Sequence, residues 1–272
     1  RDAQESRGLG DVYKRQLVYR NRAFGQIGKE YEDEKMSSLI FQSSYIVIIP
    51  SYYKTDIHKH PFLHLFAGKK GCRIIVGKEN IQGNIILLDS KVRHAVEVGN
   101  NCAFFLLIDP TSIIAEQIRE QYIKGGSYCN VSDNIAEISE DIHNFPENEI
   151  IRIVENLFLT MGISTGKNNA RDERIKLIID KVISGEWLSY SVKQIAEKVF
   201  LSESRLTHLF KEEAGISLKS YILMRRMENA YRLISTGEKI TWAAQESGFS
   251  SSAHLAYTCK KLTGVSITDV LK

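Results

Sequence analysis

The sequence predicts an α+β chain of more than one domain: a β-rich N-terminal barrel or sandwich, a helical connector and an all-α C-terminal region. Three observations predict it. Short apolar runs separated by Gly, Asn, Asp and Lys fill residues 39–110. From Thr111 onward the apolar residues recur at helical spacing instead. Over the last hundred residues that helical pattern repeats itself once, at an offset near 49 residues.

The β-rich part is built from the runs Tyr45–Ile49, Leu63–Phe66, Arg73–Val76, Asn84–Leu88, His94–Val98 and Ala103–Ile108. Breaks fall at 68–71, 77–80, Gly83, 89–91 and 99–101. Short strands at such spacing suit a sandwich or a barrel. In the connector, Ile113, Ile114, Gln117, Ile118 and Tyr122 fit one helix, which Gly125-Gly126 stops. That apolar stripe suits either a dimer contact or packing on the barrel. A second helix is expected over Glu147–Thr160, and the polar stretch 162–170 reads as a boundary. The expected domains are therefore 17–110, a connector at 111–170 and 171–272. Residues 1–16 are set apart: Asp11-Val-Tyr-Lys-Arg-Gln16 is the translation of a transposon-end adapter (GAT GTG TAT AAG AGA CAG), and they read as a sequencing scar. Met36, before a strand-like segment, is a candidate native start.

Composition narrows the function classes. The 272 residues carry 36 Lys+Arg and 33 Asp+Glu, and 43% are hydrophobic, which excludes a disordered or fibrous chain. No apolar run approaches the roughly 20 residues that cross a bilayer, and no export signal opens the chain. Cys72, Cys102, Cys129 and Cys259 are scattered, which reads as reduced core thiols and a cytoplasmic setting. Net charge is +3, but residues 171–272 alone hold 16 basic and 12 acidic side chains. The positive excess lies where a nucleic-acid partner would want it. No Gly-rich phosphate loop, Ser/His/Asp signature or paired carboxylates stand out, so catalysis is not expected.

The repeat is specific. Leu206/Leu255, Phe210/Cys259, Lys211/Lys260, Gly215/Gly264 and Ser217/Ser266 each lie 49 apart, and Ala196/Ala244 lie 48 apart. Each copy reads as a helix-turn-helix. Ala196 and Ala244 are small where two helices cross. Four residues on comes the turn, with Gly248 in the second copy and Phe200 in the first. An N-cap follows, Ser202 in the first copy and Ser250 or Ser251 in the second. The second helix then buries Leu206, Leu209 and Phe210, or Leu255 and Cys259, and leaves its other face for a DNA major groove. Between the copies, Leu218–Ser235 gives a helix of roughly 27 Å. With the helix diameters at its ends, it can hold two recognition helices about one DNA turn apart.

These stretches resemble the AraC-type DNA-binding domain over residues 171–272. The match runs through Val192–Lys211, Gly215-Ile-Ser217, Arg225–Ile234, Gly248–Leu255 and Lys260–Ser266. The resemblance implies seven helices, promoter DNA and RNA polymerase as partners, and an activator's role. It implies base-edge contacts for Ser204, Thr207 and His208 in the first copy, with Arg205 reaching base or phosphate, and for Ser252, Ala253 and Tyr257 in the second. Lys211 and Lys260 are expected on phosphates. Departures are Leu218 and Ile267 in place of Pro, Tyr257 and His208 in place of Arg, and Cys259 in place of Phe. Ser, Thr and Ala read bases loosely, so the first copy is expected to supply more affinity.

His58, His60, His64 and His94 form the second constellation. Alternation along a strand puts His58 and His60 on one face, and His94 from a facing strand completes an imidazole-rich site. The spacing resembles the cupin metal motif, with His64 where an acidic residue is usual. That implies a cupin-like barrel, a common sensor domain of AraC-type regulators. Three readings stay open: a pocket for an organic effector lined by these histidines, a metal site, or structural histidines. The function expected is a DNA-binding regulator that senses a small molecule and has a possible homodimeric state. The alternative is a metal-dependent cupin enzyme or metal sensor fused to a DNA-binding module.

Overall fold

A computed structural model describes residues 38–50, 53–98, 102–131, 142–165, 172–263 and 267. The adapter-like residues 1–16 and Met36 lie outside them.

The N-terminal strands are β1 (Ser38–Phe41), β2 (Tyr45–Ile49), β3 (Tyr53–Lys54), β4 (Leu63–Val76), β5 (Glu79–Leu88), β6 (His94–Val98), β7 (Phe104–Ile108) and β8 (Tyr128–Val131). All their pairings are antiparallel. The path is β1-β2-β7-β4-β5-β8, with β6 beside β4 and β3 beside β6. The two strands expected at 63–66 and 73–76 are one long strand. Its register shifts between Ala67 and Cys72, where Gly71 takes φ +85°. Before the shift β4 pairs β7, and beyond it β4 pairs β6. The ends β1 and β8 do not pair with each other, so the closed barrel expected for 17–110 is, among the described residues, an open folded sheet.

Both faces are covered. Ile46, Ile48, Phe66, Ile86, Leu88, Phe105 and Leu107 share the inner face. Val47, Ile49, Leu65, Leu87, Leu106 and Ile108 pack outward against Ile114, Ile118, Val154 and Phe158. Burial on both faces explains why β2 and β7 read as unbroken apolar runs.

The connector belongs to this layer. α1 (Ile113–Ile118) is capped by Ser112, whose Oγ accepts from the Ala115 N–H. A π-helical turn follows over Arg119–Ile123 and ends at Lys124 (φ +49°). The chain then returns to the sheet as β8, beside β5. The sheet thus extends past residue 110, because one more edge strand covers β5. α2 (Glu147–Thr160) has the expected bounds and buries Ile150, Val154, Leu157 and Phe158. Ile114 and Ile118 are wholly buried within the chain, so the stripe expected as a possible dimer contact packs on the sheet.

The C-terminal helices are α3 (Glu173–Ile183), α4 (Val192–Lys198), α5 (Glu203–Ala214), α6 (Leu218–Ser235), α7 (Ile240–Glu246) and α8 (Ser252–Thr263). The seventh expected helix falls in 264–272, where only Ile267 is described, and it is buried. Among the described residues, no helix is long and apolar enough to cross a membrane.

Candidate nucleic-acid interface and effector site

The first helix-turn-helix is α4 and α5. Ser191 and Gln194 form a capping box that starts α4: Ser191 Oγ accepts from the Gln194 N–H, and Gln194 Oε1 accepts from the Ser191 N–H. Ala196 is buried at the crossing. The turn closes through Leu201 N–H to Ala196 O at 2.9 Å, with Phe200 at φ +56°. Ser202 caps α5 by accepting from the Arg205 N–H at 3.2 Å. Leu206, Leu209, Phe210 and Ala214 are buried. Ser204, Arg205, Thr207, His208 and Lys211 are all exposed on the remaining face.

The second copy is α7 and α8, built on the same hydrogen bonds. Phe249 N–H donates to Ala244 O at 2.9 Å, around Gly248 at φ +78°. Of the two candidate caps, Ser251 is the one used: its Oγ accepts from the His254 N–H at 3.1 Å. Leu255 and Cys259 are buried. Ala253, Tyr257 and Lys260 are exposed, and Ser252 is half-buried. Lys261 lies over the Tyr257 ring at 5.7 Å. His254 was not among the residues expected from sequence. It is exposed at the start of α8, 49 residues after Arg205, so the repeat offset itself pointed to it. Between the copies, α6 holds both. Tyr221 packs on Phe210 of α5, and Arg226 donates to Leu188 O at 2.6 Å beside the Gly248 turn.

All four expected histidines come together in the sheet. His58 bridges His94 through paired backbone hydrogen bonds of 2.9 and 3.0 Å. His60 lies in the loop before β4, not on a strand as expected, because the chain leaves the His94 pairing after His58. His64 projects from β4. His60, His64 and His94 are 4%, 3% and 2% exposed. His64 Nε2 is 2.9 Å from His60 Nε2 and 3.2 Å from His94 Nε2. His58 Nδ1 lies 2.8 Å from Asp56 O, and His94 Nδ1 lies 2.9 Å from Val92 O. A carbonyl only accepts, so both Nδ1 atoms carry the proton and both Nε2 atoms are unprotonated acceptors, that of His94 facing His64 Nε2. That is the tautomer a metal ligand needs, fixed from behind by backbone. The ligating atoms of His58, His60 and His94 all lie within 4.8 Å of one another, and this donor set fits a divalent transition metal.

Electrostatics keep the cluster neutral. Burial, and then neighbouring imidazoles, hold His60 and His64 well below the ordinary histidine value. Burial, and then His58, pull His94 down to about 4. Burial lowers His58, partly opposed by the Asp56 carbonyl.

Lys91 and a buried ion network tie this sheet to the helices. Lys91, at φ +64°, donates its N–H to His60 O at 2.8 Å. Its Nζ donates to Gly215 O, also at 2.8 Å, and Gly215 is the left-handed C-cap of α5. In the ion network, Arg225 of α6 binds the Asp109 carboxylate at the end of β7, donates to Glu228 Oε2 at 2.6 Å and reaches Ser43 O at 3.3 Å. Burial opposes the charge on Arg225, but Asp109, Tyr221 and Glu228 more than offset it and keep the guanidinium charged.

Comparison with known proteins agrees with this arrangement. A family model described as a helix-turn-helix domain matches residues 195–272. The arabinose operon regulatory protein of Escherichia coli K12 is 34% identical over 82 residues, 30% of this chain and 28% of that protein. The probable transcriptional regulator LumQ of Photobacterium leiognathi is 34% identical over 79 residues, 29% of this chain and 32% of that protein. The match thus spans about a third of these relatives' length. Apo ToxT from Vibrio cholerae superposes with TM-score 0.53 at 15% identity, covering 84% of this chain and 97% of that one. ToxT bound to (E)-4-(8-methylnaphthalen-1-yl)but-3-enoic acid gives TM-score 0.51 at 18% identity, covering 84% and 99%. At such identity the likeness is one of fold: a sheet-rich N-terminal part and a helical C-terminal part.

Proposed function

We propose, from the premise that this is an AraC-type regulator with its helix-turn-helix domain at residues 195–272, that the chain binds promoter DNA and that an effector held in its N-terminal sheet controls that binding. The observation that carries the reading is the pair of helix-turn-helix units, closed by matching turn and cap hydrogen bonds, joined by one 18-residue helix. Such a helix spaces two recognition helices for successive major-groove segments on one side of a duplex. Ser204, Arg205, Thr207 and His208 read base edges in the first segment. Ser252, Ala253, His254 and Tyr257 face the second, and Lys211 and Lys260 meet phosphates. Activation through RNA polymerase, a cytoplasmic setting and a homodimeric state belong to the same proposal and rest on the resemblance.

The effector site is the four-histidine cluster. Lys91 links it to the first recognition helix, since one residue bonds both the His60 backbone and the end of α5. A ligand that moves His60 therefore acts on α5 by a single step. That ToxT, a protein of similar fold, binds an organic acid supports a small organic effector for this chain. A second reading, a metal sensor, is favoured by the convergent, unprotonated Nε2 atoms of His58 and His94.

The test of DNA binding is fluorescence anisotropy with duplexes from the DNA upstream of the gene, at fixed salt, with scrambled competitor. Preference of at least ~10³-fold for one segment is expected. Equal binding to every duplex would remove the regulator reading. Elemental analysis of the protein beside a His58→Ala, His94→Ala double variant separates the two effector readings. Stoichiometric metal that the variant loses selects the metal sensor, and its absence selects the organic effector.

A further inference from the structure

The geometry points to Cys72 and Cys102 as an oxidation-dependent crosslink: a small peroxide, hydrogen peroxide being the simplest, converts the pair to an intramolecular disulfide that staples the bulge of β4 to the entry of β7. Neither residue takes part in the histidine site or the DNA-binding surface.

The pair is placed by the irregularity in β4. Ala67 is the last residue paired before the register shift, and Cys72 is the first paired after it, opposite Gly83. Across from the bulge, Ala103 N–H donates to Ala67 O at 2.9 Å, which fixes Cys102 just before β7. The two sulfurs, 30 residues apart in sequence, end 2.6 Å from each other. A disulfide bond is ~2.05 Å long, so closing it moves the sulfurs by roughly half an ångström. Among the described residues only the histidines form a group of three or more metal-ligating side chains, so the thiols are not part of a larger metal site. Cys129 lies on β8 and Cys259 on α8.

The chemistry balances without further parts. One sulfur, as thiolate, attacks a peroxide oxygen; the O–O bond breaks, and hydroxide leaves and becomes water with that thiol's proton. The sulfenic acid so formed is attacked by the second sulfur as its proton leaves. The S–S bond forms, the S–O bond breaks and a second water departs. The two thiols lose two electrons and two hydrogens, and the peroxide gains both. The hydrogen bond to Cys102, and then burial, hold the Cys72 thiol well above its ordinary value, so the reaction is slow near neutral pH and accelerates as pH rises.

The experiment treats the full chain with hydrogen peroxide and maps its peptides by mass spectrometry without reduction. The expected product joins the Cys72 and Cys102 peptides with the loss of two hydrogens. Free thiols fall from four to two. The melting temperature rises by about 5 °C, because a closed loop of this length constrains the unfolded chain, and dithiothreitol reverses the rise. Cys72→Ala abolishes both changes, whereas Cys129→Ala preserves them. The idea is overturned if both residues stay thiols, oxidise separately to sulfinic acids, or crosslink to Cys129 instead. The peptide map of the unsubstituted protein decides this even where a variant fails to fold.

Discussion

The two helix-turn-helix copies share a backbone and differ in what they carry and what holds them. Both close their turn with the same hydrogen bond onto a buried alanine, and both start the second helix on a serine cap. The first copy exposes Arg205, Thr207, His208 and Lys211 on α5, and Lys91 of the sheet reaches the end of that helix. The second exposes Ala253, His254, Tyr257 and Lys260. On the proposed function, the first copy is therefore both the richer reader and the one linked through Lys91 to the histidine cluster. The other is a repeat of the same fold with a plainer surface. The difference teaches that one framework can carry two faces of unequal chemistry.

The largest expected effect comes from the ion network on the helix that joins the copies. Asp109 accepts from the Thr111 N–H at 2.9 Å and from the Thr111 hydroxyl at 2.8 Å, besides binding Arg225. Asp109→Ala leaves a buried guanidinium with Glu228 as its remaining carboxylate and is expected to cost about 3 kcal/mol. Urea unfolding measures this as a fall in midpoint. An Asp109→Leu, Arg225→Met double variant is expected to recover much of that stability while removing the polar link between the sheet and α6, with the Lys91 link to α5 left in place. A double variant as unstable as Asp109→Ala would mean that the network does not act as a pair.

Acid sharpens the contrast from the sheet side. The folded chain holds His94 near 4, against 6.5 for the free side chain, so the unfolded chain takes up the proton first as pH falls. Stability is unaffected above pH ~6.5 and declines through the window down to about 4. There His94 alone accounts for about 3 kcal/mol. His58, His60 and His64 shift in the same direction and add to the loss. Thermal melts of chelator-treated protein from pH 7.5 to 4.5 follow it, and His94→Gln is expected to flatten the slope. An unchanged slope in that variant would assign the acid lability elsewhere.

Much of this was legible before any coordinates, for reasons that differ by region. The helix-turn-helix units were readable because cap, buried alanine and apolar ridge recur at a fixed offset, so each copy confirms the other. The histidines were readable as a set from their spacing in the sequence, although His60 joins the cluster from the loop before β4 and not by strand alternation. The single long β4 was not readable, since Gly68–Gly71 looks like a turn and is a bulge inside a continuous ladder. β8 was hidden for a related reason: Tyr128–Val131 has only four residues and follows a glycine pair that ends a helix. Lys91 and Asp109 gave no signal, because their partners lie 124 and 116 residues away.

The recognition faces give the next effect. Each lost base-edge contact is worth about 1–3 kcal/mol, so Thr207→Ala with His208→Ala is expected to weaken specific DNA binding by about 10–100-fold. Tyr257→Ala in the second copy is expected to cost less than about 10-fold. Anisotropy titrations at one salt concentration compare them. Equal losses in the two copies would erase the division of labour drawn from their surfaces.

The smallest effect lies in the turns, and it isolates the backbone from the surface. Phe200 holds a left-handed conformation that costs a residue with a Cβ roughly 1 kcal/mol, and its ring is 92% exposed, so packing returns little of that cost. Gly248 occupies the same place in the second copy at φ +78°, where a Cβ would come within 3.0 Å of Arg226 Nε. Phe200→Gly removes the strain but gives the unfolded chain more freedom, so the expected net change is a gain of at most about 0.5 kcal/mol. Gly248→Ala adds strain and crowds a side chain whose Nε donates to Leu188 O, so a loss of about 1–2 kcal/mol is expected. Opposite signs in paired denaturation curves would show that the second copy keeps the unstrained turn. A clear loss on Phe200→Gly would instead mean that the exposed ring stabilises the turn through contacts its burial does not reveal. A loss of DNA affinity with stability unchanged would place Phe200 against the duplex, beside the helix it precedes.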